Sequence, residues 1–133
     1  MLILITAFAC STSNMQEKKF SKEDKLVKND TVKIVNEELE YEIMIIDPGF
    51  NSWYLSYARP RNYYSQNYLE ARNRDWVIGW NNLFMRGSRI IDMSIDYQNN
   101  TNYGYEVNYM LFNYFTYFQL SNKIKLGGFV PRI

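Results

Sequence analysis

Apolar and polar positions divide the chain into stretches with different periods. Met1 to Ala9, MLILITAFA, is an apolar run that stops at Cys10 and gives way to Ser11, Thr12, Ser13 and Asn14. From Ser11 to about Asp30 no apolar period is visible and both signs of charge are mixed, which is the pattern of a flexible tether. Alternation then begins. Val32 and Ile34 share one side, and Tyr41, Ile43 and Ile45 alternate with Glu42, Met44 and Ile46, so strands are predicted over 31–35 and 39–47. Asp47, Pro48 and Gly49 are expected to end the second strand in a turn, because Pro fixes φ and Gly tolerates positive φ. Phe50 to Tyr64 reads as an aromatic loop.

Helical spacing takes over at Ser65, a good N-cap residue, and runs to Arg86 with Gly87 as its stop. At about 100° per residue, Leu69, Trp76, Val77, Trp80, Leu83 and Phe84 form one stripe, and Asn73 falls inside it. A polar side chain there needs a buried partner, since an unpaired one costs about 1–3 kcal/mol, and Asn108 is the candidate. Ser88 to Asn102 carries a short apolar run interleaved with Asp92 and Asp96 and is predicted to be irregular. A second helix follows from Asn102, a plausible N-cap, to Asn122, with Glu106 placed in its first turn where the helix dipole favours a negative charge. Gly104, Val107, Leu111, Phe115 and Phe118 make one stripe of this helix, and Tyr105, Tyr109, Phe112 and Thr116 make another beside it, which predicts contacts on two sides. A short strand over Ile124 to Leu126 is expected in the tail. The fold class is therefore α+β: a small antiparallel β-element at about residues 31–47, packed with two main helices at about 65–86 and 102–122.

Composition sharpens the boundaries. Of the 29 charged side chains 13 lie in residues 11–40, whereas 21 of the 23 aromatics follow residue 40, so a solvated arm precedes one compact domain over 31–133. Each buried aromatic covers roughly 150–250 Å², which lets a short chain build a core from few residues. A net charge of +1 gives no electrostatic basis for binding nucleic acid. There is one Cys, and it stands where a lipoprotein signal requires it: Ala7 and Ala9 supply small residues at minus three and minus one before Cys10. Residues 1–9 are thus expected to be a signal peptide, Cys10 the lipidated first residue of the mature chain, and 10–30 its tether. The apolar run is too short to span a bilayer as a helix. Phe8 is bulky for its place in the motif, and no Lys or Arg precedes the apolar run. The run after Cys10 holds no acidic cluster, which points to a periplasm-facing anchor, with the outer membrane favoured.

Inventory excludes most catalytic chemistry. With no His, neither Ser-His-Asp nor Cys-His arrangements exist, a Cys/His zinc site lacks its ligands, and no Gly-rich phosphate loop is present. No metal or cofactor is implied. Carboxylates remain: Asp47, Asp92, Asp96 and Glu106 would supply the two carboxyls of a glycoside hydrolase, with Trp53, Tyr63 and Tyr64 stacking on sugar rings. Their alternative readings are a turn residue, a surface charge, a loop or helix cap and a helix-dipole partner. The series Asp96, Gln98, Asn100, Asn102 resembles the start of a calcium loop, but the position of its bidentate Glu holds Val107, so turn chemistry explains it better. A possible recognition patch consists of Trp53, Tyr54, Tyr57, Tyr63 and Tyr64 with Asp96; the same rings have an alternative use in covering the two helices.

Asp47-Pro48-Gly49-Phe50 with Trp53, Tyr63-Tyr64-Ser65 with Tyr68-Leu69-Glu70, Asn73, Trp80-Asn81, Asp96-Tyr97, and Tyr103-Gly104 through Glu106, Asn108, Tyr109 and Leu111 together resemble a family of small bacterial lipoproteins carrying a domain of unknown function. The resemblance covers most of residues 41–120. It implies an envelope lipoprotein and no catalytic residue, ligand or partner. The expectation is a lipid-anchored, non-enzymatic binding or structural module of the cell envelope, whose partners are the membrane, through Cys10, and an envelope protein or glycan; a carboxylate-dependent enzyme acting on envelope glycan is the alternative.

Overall fold

The computed structural model describes residues 2–6 and 31–132, the first of these as backbone. Cys10 and the expected tether lie outside the described residues. Three strands, β1 (Leu2–Thr6), β2 (Thr31–Asn36) and β3 (Tyr41–Ile46), form an antiparallel sheet in the order β1-β3-β2. The hairpin register pairs Thr31 with Ile46 and Asn36 with Tyr41, and the expected alternation holds: Tyr41, Ile43 and Ile45 are buried while Glu42, Met44 and Ile46 are only partly covered. β1 lies on the other edge of β3, with Leu2 opposite Ile45 and Thr6 opposite Tyr41, so part of the expected signal segment is a strand here.

Three helices follow: α1 (Pro48–Tyr57), α2 (Gln66–Met85) and α3 (Gly104–Asn122). The first takes up Phe50 to Tyr57 of the segment predicted as loop, and residues 58–64 remain a loop. Asp47 and Pro48 begin a helix instead of a turn: the Asp47 side chain accepts the Gly49 N–H as an N-cap, and Pro48 sits in the first turn, where a missing N–H costs nothing. Phe50, Trp53, Tyr54 and Tyr57 then follow at helical spacing, with Phe50 buried against Tyr114 and Tyr117.

α2 begins at the predicted cap, where Ser65 Oγ accepts the Tyr68 N–H. It ends with Gly87 at φ 79° and paired bonds from Gly87 N to Phe84 O and Ser88 N to Leu83 O, a Schellman closure. Its buried face is Leu69, Asn73, Trp76, Val77 and Trp80; Phe84 departs from the predicted stripe and is exposed.

α3 is the scaffold. Twelve of its residues between Val107 and Gln119 are buried, which requires cover on every side: α2, α1 and β2 all pack on it. Its enclosed polar side chains bond back to their own helix, Asn113 Nδ2 to Tyr109 O (2.8 Å), Thr116 Oγ1 to Phe112 O (2.8 Å) and Gln119 Nε2 to Phe115 O (3.0 Å), so burial leaves these donors satisfied. The expected pairing of the two long helices is present: Asn73 Nδ2 donates to Asn108 O (3.0 Å) and Oδ1 (3.1 Å) in full burial. The expected cap at Asn102 is displaced by one residue. Tyr103 holds the N-cap position, and Asn102 Oδ1 accepts the Gly104 N–H in a turn just before it.

The tail forms no strand over Ile124 to Leu126. Lys123 turns the chain with φ 55°, and Gln119 then fixes it twice, its main-chain O accepting Ile124 N–H and its Oε1 accepting Leu126 N–H (2.7 Å). Leu126 crosses α2 at Gly79, where a Cβ would stand 1.8 Å from the Leu126 carbonyl oxygen. A glycine inside a helix is normally unfavourable; here it is what lets two backbones touch. Among the described residues no helix is long and apolar enough to cross a membrane.

Candidate functional site

The loop between α1 and α2 is tied to the first turns of α3. Tyr109 Oη donates to Arg59 O, Tyr105 Oη accepts the Asn62 N–H, and Arg61 forms a two-point ion pair with Glu106 (Nε to Oε2, 2.9 Å) while lying 4.9 Å over the Tyr109 ring. On the other side, the tail docked by Gly79 and Gln119 continues past Trp76, near Gly127 and Phe129, and delivers Val130, Pro131 and Arg132 to the same face of α3.

Between loop and tail runs a groove. Its wide end, about 530 Å³, is lined by Trp53, Tyr57, Leu120, Val130, Pro131 and Arg132. Its narrow end shares Trp53, Tyr57, Pro131 and Arg132 and adds Ala58, Arg59, Tyr64, Phe112, Asn113 and Thr116, with about 10 Å³ of room, the space of one water-sized group. Three of the six residues of the predicted patch, Trp53, Tyr57 and Tyr64, therefore line one groove. Tyr63 stands beside it, its ring 4.7 Å from that of Tyr64 and under Arg59 at 5.0 Å. Tyr54 packs inward, against Phe50 and Tyr109. Asp96 is elsewhere: its carbonyl accepts the Tyr41 hydroxyl (2.7 Å), in a loop that Asn81 clamps through both the N–H and the C=O of Ile95.

Arg59 and Arg132 carry the charge of the groove, and neither is in an ion pair among the described residues. Burial raises the Tyr64 phenol above its ordinary value, with Tyr68 and Tyr63 adding to the rise and the Arg59 guanidinium opposing it. Asn113, only 3% exposed, donates one Nδ2 hydrogen to Tyr109 O and keeps the second, together with the acceptor Oδ1. The residues missed by sequence reasoning, Arg59, Arg132, Asn113 and Pro131, come from three separate segments, and only the fold brings them together.

The carboxylates do not assemble at this groove. Asp47 caps α1 and accepts from Tyr117 Oη (2.9 Å), while Glu106 is held by Arg61. Those two anchor points are eleven residues apart on α3, about 16 Å along its axis. Paired glycosidase carboxyls stand about 5–10 Å apart. Asp92 and Asp96 are exposed and line neither end of the groove. The loop after Asp96 is organised by turn bonds, Gln98 N–H to Tyr103 Oη and Thr101 N–H to Gln98 O, and among the described residues no cluster of three metal-ligating side chains occurs.

A family model described as a family of unknown function, DUF6146, matches residues 1–131. The chain belongs to this family. No curated protein and no solved structure matches it. The DUF6146 match covers all three helices and every groove residue except Arg132.

Proposed function

We propose that this DUF6146 protein is a non-enzymatic binding module of the bacterial cell envelope, held at a membrane by a lipid on Cys10 and binding through the groove of Trp53, Tyr57 and Tyr64. The observation that carries the binding reading is the lining of that groove: aromatic side chains and two guanidiniums that form no ion pair among the described residues, with no carboxylate, thiol or imidazole among the described lining residues to act on what is bound. The anchor reading rests on Ala7, Ala9 and Cys10, with the polar residues that follow. Several acyl chains, at about 0.8 kcal/mol per buried CH₂, would make attachment effectively permanent. On this reading β1 belongs to the precursor, and the mature sheet is the β2–β3 hairpin.

The pairing of Leu2–Thr6 with β3 favours a second reading, in which the N-terminal segment stays in the sheet as a structural strand and the protein is not lipidated. Fractionation separates the two. The wild-type chain partitions with membranes and Cys10→Ser releases it if the first reading holds; a Cys10→Ser protein that still partitions with membranes removes the lipid anchor from the account.

A further inference from the structure

We infer that the groove binds a glycan whose sugar carries a carboxylate, with the acid group at the narrow end and a sugar ring on the aromatic floor of the wide end. The inference rests on the reading of the groove as a binding surface and adds the class of ligand. Three observations converge on it. The groove narrows from an open hollow of about 530 Å³ to a slit of about 10 Å³, the space of one water-sized group, so an acid group rests at the mouth of the slit. The slit is where both arginines line the wall; neither is in an ion pair among the described residues, and a guanidinium is a planar fork that fits a carboxylate with two hydrogen bonds. The wide end carries the ring faces of Trp53 and Tyr57, 6.3 Å apart and tilted by 40°, on which a flat, C–H-bearing sugar face packs.

Asn113 lines the narrow end as well, where its second Nδ2 hydrogen offers the ligand a donor and its Oδ1 an acceptor. Tyr57, 58% exposed, and Tyr64 contribute hydroxyls that serve as donor or acceptor to the remaining sugar oxygens. An acidic peptide would satisfy the two arginines but would leave the rings of the wide end without a flat partner, and a neutral glycan would make no use of the two positive charges.

The test uses the full chain in detergent and four probes: a tetramer of galacturonic acid, its fully methyl-esterified form, the disaccharide of N-acetylglucosamine and N-acetylmuramic acid, and a tetraglutamate peptide. Trp76 and Trp80 are 1% exposed, so ligand-induced change in tryptophan fluorescence reports on Trp53. The expected result is saturable binding of one or both acidic sugars, at least tenfold weaker binding of the methyl ester, and about a tenfold loss for each of Arg59→Gln, Arg132→Gln and Tyr57→Ala against the better sugar, with Trp53 kept as the reporter and circular dichroism unchanged. The two acidic sugars distinguish a uronic-acid polymer from a muramyl glycan as the source. Equal binding of the methyl ester overturns the carboxylate, and tighter binding of tetraglutamate overturns the glycan, while either result keeps the groove as a binding surface. A fluorescence signal unmoved by all four probes at millimolar concentration overturns both.

Discussion

The contact between the two long helices turns on a pair of buried asparagines, and its energy follows from counting what each substitution removes. Asn108→Ala deletes three side-chain bonds: the one from Tyr97 Oη (2.6 Å), one of the two from Asn73 Nδ2 (3.1 Å) and its own donation to Gly104 O (2.8 Å). Neither donor left behind is fully orphaned, since Tyr97 is half-buried and turns to water, and Asn73 Nδ2 keeps the Asn108 main-chain oxygen at 3.0 Å. At about 1 kcal/mol per net bond the loss is about 3 kcal/mol. Asn73→Ala removes both Asn73 bonds, about 2 kcal/mol on the same scale, but also removes the buried Oδ1, which has no partner among the described residues, so the net loss is about 1 kcal/mol. The bond between Asn73 Nδ2 and Asn108 Oδ1 is lost in either variant, so the double variant should be less destabilised than the sum by about 1 kcal/mol. Urea denaturation followed by the fluorescence of Trp76 and Trp80, both at this core, measures all four corners of the cycle. Single losses below about 0.5 kcal/mol, or strict additivity, would refute the claim that the pair holds the helices together.

Three further outcomes are expected. Gly79→Ala gains up to about 1 kcal/mol of helix propensity but drives a Cβ into the Leu126 carbonyl, so the net effect is a destabilisation of about 1–3 kcal/mol, with tail amides after Leu126 losing hydrogen-exchange protection; an unchanged or raised midpoint would mean the tail does not cross α2 there. Lys123→Gly relieves an L-residue at φ 55° and should raise stability by about 0.5–1 kcal/mol in thermal melts; a fall would show that Lys123 is not strained. In alkali, burial pushes Tyr97, Tyr109 and Tyr117 up to about 12, above their unfolded value near 10, so the stability they contribute is whole below about pH 10 and is lost as the pH rises toward 12. Tyrosinate absorbance should then appear in two stages, exposed phenols first and these with unfolding; a single transition near pH 10 would contradict the packing.

Much of this was readable in the sequence, and the reasons differ by element. α2 and α3 declare themselves because their apolar periods run for about five turns, and the Asn73–Asn108 contact because a polar residue in an apolar stripe has few places to go. α1 was hidden by Asp47-Pro48-Gly49, a sequence that serves equally as a turn or as an N-cap followed by a first-turn proline; which it becomes depends on Phe50 finding Tyr114 and Tyr117, residues far along the chain. The tail has no period at all, so its path was illegible, although Gly79 inside a strong helix was a sign that another backbone passes close by. For that reason only one wall of the groove, Trp53, Tyr57 and Tyr64, could be anticipated, and Asp96, grouped with them, belongs to a loop fixed by Tyr41 and Asn81.

The claim of an anchored envelope module stands or falls on the N-terminus of the mature protein. Intact-mass and N-terminal peptide analysis of the chain purified from its native membranes should find a first residue at Cys10 bearing acyl groups and no peptide containing Leu2 to Thr6. A mature chain that retains those residues as β1, with an unmodified Cys10 thiol, would contradict it.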